Sequence, residues 1–525
     1  MKIKKWLYFA LFLITIGLLT RIVLTLFVEP WFGKKLETTL IEKNSSNEIQ
    51  ISKVHISLIS RGIELKNIII SSKNEVSKSL YISGKIASVK LKGISIIKAI
   101  LKKDYIIRSV TISDSGLTII TPPIEENRPS IIIPVNIKID RLLMDKTSLF
   151  VRNNLNSLSY SLSEGMIRVD SINIYKQDSL SIEKFKIIEF AADDFSSVSA
   201  DSMYTHNLKD FAYSSVSNKV SADTFSLVPN YSDYDFASRF QFQKDRIEIV
   251  LSNISVPGIN MSDYLSSGIL ICPYIEAGNL DLKIFRDKRK EFNHVDKPEF
   301  MDLIYGFKGL IRLDTISILN GTITYKDHIE KANEPGSIAF NKVNASIYNI
   351  TNDSSFIDKN AFLELRCSAL LMGKGNIEVL LKSSLFDSQN KFSVNGKLSD
   401  MDLSDMNPYL ENSAHIYVTS GRLDKMDFSF TATSTEAKGT MTMLYNGLDI
   451  AVKNKNTNDT TAFKEKLISL VVNIKVINSN PLPGKETREG IIKYERDPEK
   501  FLFSYCAKAI LSGIKSTLLR NQKDK

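Results

Sequence analysis

The sequence predicts a mainly β protein, in which an N-terminal transmembrane helix is followed by a long, mostly antiparallel β-sheet. Three observations lead to this fold class. An apolar run covers residues 6–28, apolar and polar residues alternate from Glu48 onward, and pairs of apolar residues recur along the chain. Alternation has the period of a strand, and the recurrence is typical of a repeat array. Short helices and a C-terminal amphipathic helix complete the prediction.

The apolar run predicts a single membrane anchor. About 20 apolar residues, each rising 1.5 Å along a helix, cross the hydrocarbon core of a bilayer. Three lysines precede the run, so residues 1–5 are expected in the cytoplasm and the chain after Val28 outside it. Arg21 lies near the far end of the run, where its long side chain can reach the interface. The apolar residues assigned to the anchor are Trp6, Leu7, Phe9, Leu11, Phe12, Leu13, Ile14, Ile16, Leu18, Leu19, Ile22, Val23, Leu24, Leu26, Phe27 and Val28.

A cleaved signal peptide is the alternative for this run. Its apolar core would have about 7–15 residues and would be followed by small residues of the A-x-A type. Residues 6–20 have that length, but no small-residue cleavage site follows them. Glu29-Pro30-Trp31 instead predicts the end of a helix, with an aromatic residue at the membrane interface. These two patterns favour an uncleaved anchor.

Composition excludes some classes of function. The 525 residues carry a net charge of +9, but no basic cluster lies on a nucleic-acid-binding motif, so no nucleic-acid partner is expected. The lysines are spread over the predicted strands, where they form a solvated face or attract anionic lipid weakly. Cys272, Cys367 and Cys506 are far apart, which predicts neither a disulfide framework nor a metal site.

The first part of the predicted sheet follows a short helix at residues 33–44. Residues 49–59 and 63–71 alternate with period two around a turn at Ser60-Arg61-Gly62, which predicts a hairpin. The next predicted elements are a strand at residues 81–93, a helix at residues 95–103, and a hairpin at residues 105–121 that turns at Asp114-Ser115-Gly116.

Pairs of apolar residues recur after seven or eight positions, with polar turn-like residues between them. This spacing predicts a diverged repeat of hairpin units and favours an elongated array over a closed sandwich. The pairs are Val110/Ile112 with Leu117/Ile119, Leu142/Met144 with Leu149/Val151, Ile172/Ile174 with Leu180/Ile182, and Ile316/Ile318 with Ile323/Tyr325.

The second half of the chain continues as strands after a charged loop at residues 286–300, where a helical turn is expected after Pro298. Two separate strands are predicted at residues 436–445 and 447–454. The clearest one-sided strands have apolar residues at every second position. Those residues are Leu363, Leu365 and Cys367 in one strand and Met426, Phe428 and Phe430 in another.

The C-terminal region becomes helical. Residues 463–472 have helical spacing, and Pro498 is expected to begin a helix that ends near Arg520. This helix is apolar on one side only, so it is predicted either to cap the end of the sheet or to contact a membrane or partner. Its apolar stripe consists of Phe501, Tyr505, Ile510, Ile514 and Leu518.

The sequence contains no recognised catalytic constellation. It lacks a nucleophile elbow, a Walker loop and the His-Glu-x-x-His motif, and its five histidines pair with no Cys or acidic cluster at ligand spacing. We therefore expect no enzymatic activity, no cofactor and no metal site.

Several stretches resemble the AsmA-like proteins of the double-membrane bacterial envelope. The order of parts is similar: a single span, a short helix, and then strand sequence. The stretches that carry the resemblance are Val54-His-Ile-Ser-Leu58, Gly62-Ile-Glu-Leu-Lys-Asn-Ile68, residues 88–101 leading into 107–112, Gly396-Lys-Leu-Ser-Asp-Met-Asp-Leu403, Asn407-Pro-Tyr-Leu410, Ser420-Gly-Arg-Leu-Asp-Lys425 and Gly439-Thr-Met-Thr-Met-Leu-Tyr445.

This resemblance implies a bridge-like lipid transporter with a long, curved sheet and an apolar concave groove. Leu363, Leu365, Cys367, Met426, Phe428 and Phe430 become candidate groove-lining residues. The expected location is the inner membrane, with the N-terminus in the cytoplasm and the bulk of the chain in the periplasm. The implied domains are a tail (1–5), an anchor (6–28), an N-terminal β unit (29–121), middle groove repeats (131–285), a C-terminal groove (301–455) and a cap (456–525).

The resulting hypothesis is that the protein transports or shields lipids, phospholipids above all, between envelope membranes and supports outer-membrane biogenesis. Membrane lipids and a protein of the outer or inner membrane are the expected partners. A second hypothesis is a structural or regulatory envelope scaffold that binds an outer-membrane assembly factor and carries no lipid. A third is a surface β-repeat adhesin.

Overall fold

A computed structural model of the chain divides into two compact units. Unit 1 comprises residues 1–223 and 260–266, and unit 2 comprises residues 224–259 and 267–525. The residues that the structure describes are 14–43, 47–72, 81–95, 98, 104–121, 136–153, 158–174, 186–355, 361–452 and 476–519. Residues 6–13 of the anchor, most of the predicted helix at 95–103, Leu180, Ile182, the predicted helix at 463–472 and Arg520 lie outside these ranges.

The N-terminal helix α1 (residues 14–43) is longer than the sequence predicts. It continues through Pro30, as a π-helical turn (Leu24–Val28) followed by an α-helical segment (Glu29–Lys43). A proline ring clashes with the carbonyl group four residues earlier, here that of Leu26, and the π-turn widens the helix at that residue. The predicted helix end at Glu29-Pro30 is therefore wrong, and the predicted short helix at 33–44 belongs to α1.

Unit 1 is built on eight consecutive strands, each hydrogen-bonded to the next. All of these pairs are antiparallel except β4 with β5, which is parallel. The first predicted hairpin is present as β1 and β2. The strands are β1 (Asn47–Ser57), β2 (Gly62–Ser72), β3 (Tyr81–Lys92), β4 (Asp104–Thr121), β5 (Asn136–Asn153), β6 (Ser159–Ile174), β7 (Lys186–Val198) and β8 (Tyr204–Ser214).

Unit 2 continues the same architecture. From β10 to β19, each strand pairs with the next. These pairs are antiparallel, except that β11 and β12 are parallel. Strand β9 (Lys219–Pro229) crosses the boundary between the units. The remaining strands are β10 (Asp245–Pro257), β11 (Ile269–Asp287), β12 (Leu310–His328), β13 (Gly336–Thr351), β14 (Phe362–Leu371), β15 (Gly375–Ser384), β16 (Phe392–Asp402), β17 (Ile416–Ala432), β18 (Glu436–Val452) and β19 (Glu489–Glu495).

The remaining helices are short except the last. The predicted turn after Pro298 is a helix, α4, and the predicted C-terminal helix, α6, begins at Leu502 instead of Pro498. The mainly β, mostly antiparallel fold class with a helix at each end is confirmed. In the part of the chain that the structure describes, the helical elements after α1 are α2 (Asp233–Ser238), α3 (Met261–Ser267), α4 (Phe300–Tyr305), α5 (Asn407–Ala414) and α6 (Leu502–Leu518), with a 3₁₀ turn at Leu403–Met406.

Three of the four predicted hairpin turns are wrong, because they lie within single strands, and the turn before Leu180 lies outside the described residues. Asp114, Lys146 and Asn320 have φ values of 50°, 49° and 52°, and they lie inside β4, β5 and β12. Such left-handed residues bend a strand without ending it, and register shifts mark β-bulges at Lys146 and Asn320. The two strands predicted at 436–445 and 447–454 are likewise one strand, β18, which continues through Gly447 at φ 62°.

These kinks explain the spacing of the apolar pairs. In a regular strand, residues an odd number of positions apart lie on opposite faces. In β4, Val110 and Ile112 precede the kink and Leu117 and Ile119 follow it. The left-handed backbone at Asp114 shifts the alternation between the two pairs, which allows both pairs to face the same side of the sheet, while the register of β4 with β3 and β5 continues unchanged.

Helix α1 caps the outer strand of unit 1. On the side of β1 away from β2, the Ile51 and Ile56 amide groups donate to the carboxylates of Glu37 and Glu29, at 2.5 and 2.8 Å. Gly33 lies between these two glutamates, and a Cβ atom there would lie 3.1 Å from Val54 Cγ2. Because α1 approaches this edge of β1 closely, the helix prevents another strand from pairing there.

Helix α6 caps the outer strand of unit 2 in a similar way. The Ile491 and Lys493 amide groups of β19 donate to the hydroxyl groups of Ser516 and Ser512, at 3.0 and 3.1 Å. Both ends of the strand series are therefore protected by side chains from a helix, each within its own unit.

Removing the two serine caps is expected to loosen β19. In the Ser512→Ala/Ser516→Ala variant, each lost hydrogen bond destabilises the strand by about 0.5–1.5 kcal/mol. Hydrogen exchange at Ile491 and Lys493 should become faster by roughly five- to tenfold. Ser504→Ala, in a residue of the same helix that does not bond to β19, is the control and should leave both rates unchanged.

Candidate functional site

One face of the unit 1 sheet is apolar across all eight strands. Residues directly opposite each other on neighbouring strands lie on the same face, so the strand register defines which side chains share it. The central row contains one residue from each strand, and all eight are apolar or aromatic. They are Val54, Leu65, Val89, Ile112, Met144, Ile167, Phe190 and Tyr213.

Parallel rows extend this apolar face on both sides of the central row. One row contains Ile56, Ile63, Leu91, Val110, Leu142 and Val169. Another contains Ile49, Ile70, Gly84, Leu117, Leu149, Leu162, Phe195 and Leu208. We call this surface the apolar face of unit 1.

The opposite face of the same strands is polar and carries cross-strand ion pairs. Glu64 pairs with Lys90 at 3.3 Å, and Arg141 pairs with Asp170 at 3.4 Å. Partial burial opposes ionisation of Glu64, but the hydrogen bond from Lys90 and the positive charges of Lys90 and Lys66 together outweigh it and hold the pKa of Glu64 below its ordinary value. This face is therefore suited to water, and the sheet is amphipathic.

Within the described residues, the side chains of the apolar face of unit 1 are buried or half-buried by their neighbours in the sheet, and no helix covers most of this face. Helix α1 packs on β1, but no described helix makes an extensive contact with strands β3–β8. Eight strands spaced about 4.8 Å apart give a face roughly 35 Å across. Exposed apolar patches on soluble monomers are typically about 300–600 Å², and larger patches mark sites of protein, ligand or membrane contact.

Aromatic residues line the apolar face toward β8. The rings of Phe190 and Phe211 meet edge to face at 5.5 Å, and those of Tyr160 and Phe195 stack at 6.3 Å. A cavity of about 220 Å³ opens beside Phe190 and Tyr213. At the level of the kinks the side chains are smaller, and the buried hydroxyl group of Ser115 donates to Thr147 at 3.0 Å.

The corresponding face of unit 2 is covered toward the C-terminus. The six residues predicted to line a groove all lie on one face, and Met426, Phe428 and Phe430 are buried there in the main hydrophobic core. Leu363 is fully buried near α4, while Leu365 packs on the main core and Cys367 is half-buried. Burial raises the pKa of the Cys367 thiol, as expected for a cysteine that packs as an apolar residue.

Two glycines allow close packing around phenylalanine residues in this covered region. A Cβ atom on Gly396 would lie 2.1 Å from Phe428 Cζ, and one on Gly439 would lie 2.6 Å from Phe430 Cβ. Each glycine is directly opposite its phenylalanine on the neighbouring strand. The Phe428 ring therefore occupies the space that a side chain at residue 396 would fill, and the backbone of β17 approaches Gly439 closely.

Helix α6 packs over this core, and its buried residues agree only in part with the stripe that the sequence predicts. The fully buried line is Tyr505, Ala509, Gly513 and Thr517. Of the predicted stripe, Tyr505 is buried, and Ile510, Ile514 and Leu518 flank the core, whereas Phe501 is 44% exposed. Small residues allow the close approach, since a Cβ on Gly513 would lie 2.7 Å from Ile492 Cγ1. Of the two predicted roles, the structure places α6 as a cap on the sheet.

The junction between α1 and the sheet contains a compact charged cluster. The Arg21 guanidinium donates to Glu29 Oε1 at 3.3 Å and to the Ile56 carbonyl at 3.2 Å, and it lies 2.8 Å from His55 Nδ1. Glu29 is only 4% exposed and also accepts the Ile56 amide. Each charge is therefore satisfied by α1 or β1, which fixes the helix against the strand.

Unit 2 contains a second buried charge, and its contacts are structural. Asp327, which is fully buried, accepts from Lys288 Nζ and from Ser413 Oγ, each at 2.5 Å. Burial, together with the negative charge of Asp327, raises the pKa of Tyr409 to about 12. Because Ser413 and Tyr409 belong to α5, this cluster attaches that helix to β12.

The described residues contain no group of three or more His, Cys, Asp or Glu side chains placed to hold a metal ion. One helix, Ile14–Thr38, is long and apolar enough to cross a membrane. No protein-family model matches the chain, and no curated protein matches it. The fold and site thus define a class: an amphipathic β-sheet protein with an open apolar face beside a helix that can span a membrane.

Proposed function

We propose that the protein is a membrane-anchored carrier or conduit for lipids, in which acyl chains lie on the apolar face of unit 1. The observation that carries this proposal is the set of apolar rows across eight strands, with polar residues on the opposite face. In this arrangement lipid tails contact the apolar face while head groups remain in water.

The energetics of lipid transfer support this choice. Exposing an acyl chain to water costs about 0.8 kcal/mol per CH₂ group, so a chain of sixteen carbons faces a barrier of roughly 12 kcal/mol. A continuous apolar surface removes most of that barrier, because the chain exchanges one apolar neighbour for another. The proposed setting is a bacterial envelope, with α1 in the inner membrane and the sheet in the periplasm.

Mass spectrometry of the purified full-length chain tests this proposal. The chain would be extracted in mild detergent, exchanged into an amphipathic polymer and separated from free lipid before organic extraction. We expect phospholipid to remain bound at one or more molecules per chain. A folded chain from which no lipid can be extracted, and which takes up none from phosphatidylethanolamine vesicles, would contradict lipid carriage. It would favour the alternative of a scaffold that binds an envelope protein.

A further inference from the structure

The turn between β1 and β2 carries two adjacent, highly exposed aliphatic residues. Ile59 is fully exposed and Leu58 is 57% exposed. Turns in water are commonly built from small and polar residues, because an exposed aliphatic side chain gains nothing there. Exposure of this pair to water is therefore unfavourable, and an apolar environment would stabilise it.

The turn lies beside the membrane-spanning part of α1. Three contacts order β1 along the helix: Glu37 with the Ile51 amide, Glu29 with the Ile56 amide, and Arg21 with the Ile56 carbonyl. The strand thus runs antiparallel to α1, toward the helix N-terminus. Continuing past Ser57, the chain reaches Leu58 and Ile59 at or beyond the level of Arg21.

The residues of α1 at this level are suited to lipid. Residues 14–20 are all exposed, and the large apolar side chains among them are 44–59% exposed. Arg21 is the one charge in residues 14–28. Charged groups inside membranes persist where partners neutralise them, and Arg21 has Glu29, His55 and the Ile56 carbonyl within 3.3 Å.

We infer that the Leu58–Ile59 turn inserts into the acyl region of the leaflet on the sheet's side of the membrane, directly beside α1. This inference rests on the membrane span in the proposed function, but it does not require lipid transport. Its occupant is the bilayer itself, because the turn continues the lipid-facing surface of the helix. The row that begins with Ile56 and Ile63 would then start at the bilayer, so an acyl chain could reach the apolar face without crossing water.

Depth-dependent tryptophan quenching tests the insertion. A Trp6→Phe/Trp31→Phe chain, reconstituted in phosphatidylcholine vesicles, supplies a background without tryptophan. Ile59→Trp and Leu58→Trp each report on the turn, and Glu48→Trp reports on the opposite end of the same strand. With lipids brominated on the acyl chain, we expect the emission of the two turn variants to fall by at least half. We expect the emission of Glu48→Trp to stay nearly constant.

The unmodified chain provides a second measurement that depends on no substitution. Vesicles containing a diazirine-labelled acyl chain are irradiated, and the labelled peptides are identified by mass spectrometry. Labelling at Leu58–Ile59 without labelling at residues 47–50 supports insertion. The inference is overturned if the turn variants are not quenched and the turn is not labelled. It is also overturned if quenching or labelling is equal at both ends of β1. Insertion without extractable lipid would retract the proposed function and leave this inference in place.

Discussion

Replacing Ile112 with glutamate should abolish lipid retention by the full-length chain. Ile112 lies in the central row of the apolar face, between Val89 and Met144 on the neighbouring strands. A carboxylate held among acyl chains costs about 2.5–3.5 kcal/mol, which corresponds to a loss of roughly a hundredfold in occupancy. The measurement is the amount of phospholipid extracted per chain.

Thr111→Glu is the matched control, because Thr111 is the adjacent residue of β4 and lies on the polar face opposite Lys90. A glutamate there should form a surface ion pair with Lys90 and leave the bound lipid unchanged. Far-UV circular dichroism and the unfolding midpoint must remain similar in both variants. Equal lipid retention in the two folded variants would exclude the apolar face of unit 1 as the lipid site.

Phe428→Ala should destabilise unit 2 by about 3–5 kcal/mol, the usual cost of removing a buried phenylalanine side chain. Phe428 is 3% exposed, and its ring fills the space above Gly396. Because Gly396 has no side chain to fill the space that the ring leaves, a cavity should remain there. The measurement is hydrogen exchange in β17, where protection should fall by about two to four orders of magnitude.

Ser429→Ala is the control for this second prediction. Ser429 is the next residue of β17, and its exposed hydroxyl group donates to Asn395 Oδ1 at 2.7 Å. Exposed substitutions of this kind usually change stability by less than about 0.5 kcal/mol. We expect no change in the exchange rates of β5 in either variant, since β5 belongs to unit 1. A small effect of Phe428→Ala would mean that α6 does not hold this core closed.

Local sequence patterns were sufficient for the fold class and for several elements. The alternation of Leu363, Leu365 and Cys367 predicts one face of a strand, and all three residues lie on one face of β14. The hairpin at β1 and β2 and the C-terminal helix α6 also follow from local spacing. Each of these features depends on the period of the chain itself, so no distant contact is needed to infer it.

The sequence pattern predicts turns where the structure has kinks, because a kinked strand and a turn use the same residue types. Asp114-Ser115-Gly116 and Asn320-Gly321 are typical of hairpin turns, yet each lies within a continuous strand. Whether such a residue ends a strand depends on the neighbouring strands, which must continue past it. Similarly, Pro30 predicts a helix end, but a π-turn and the contacts of Glu29 and Glu37 with β1 keep α1 continuous.

An apolar helix suited to a membrane and the long amphipathic strands after it can both be inferred from the sequence alone. Both follow from the local order of apolar and polar side chains. Which apolar surfaces are covered becomes clear only from the packing of the helices. Phe428 is buried in the core to which α6 contributes, whereas the row through Ile112 has no described helix packed extensively over it. The physical reason is that apolar spacing is the same for both rows. Coverage depends on where distant helices pack, and strand periodicity carries no information about that.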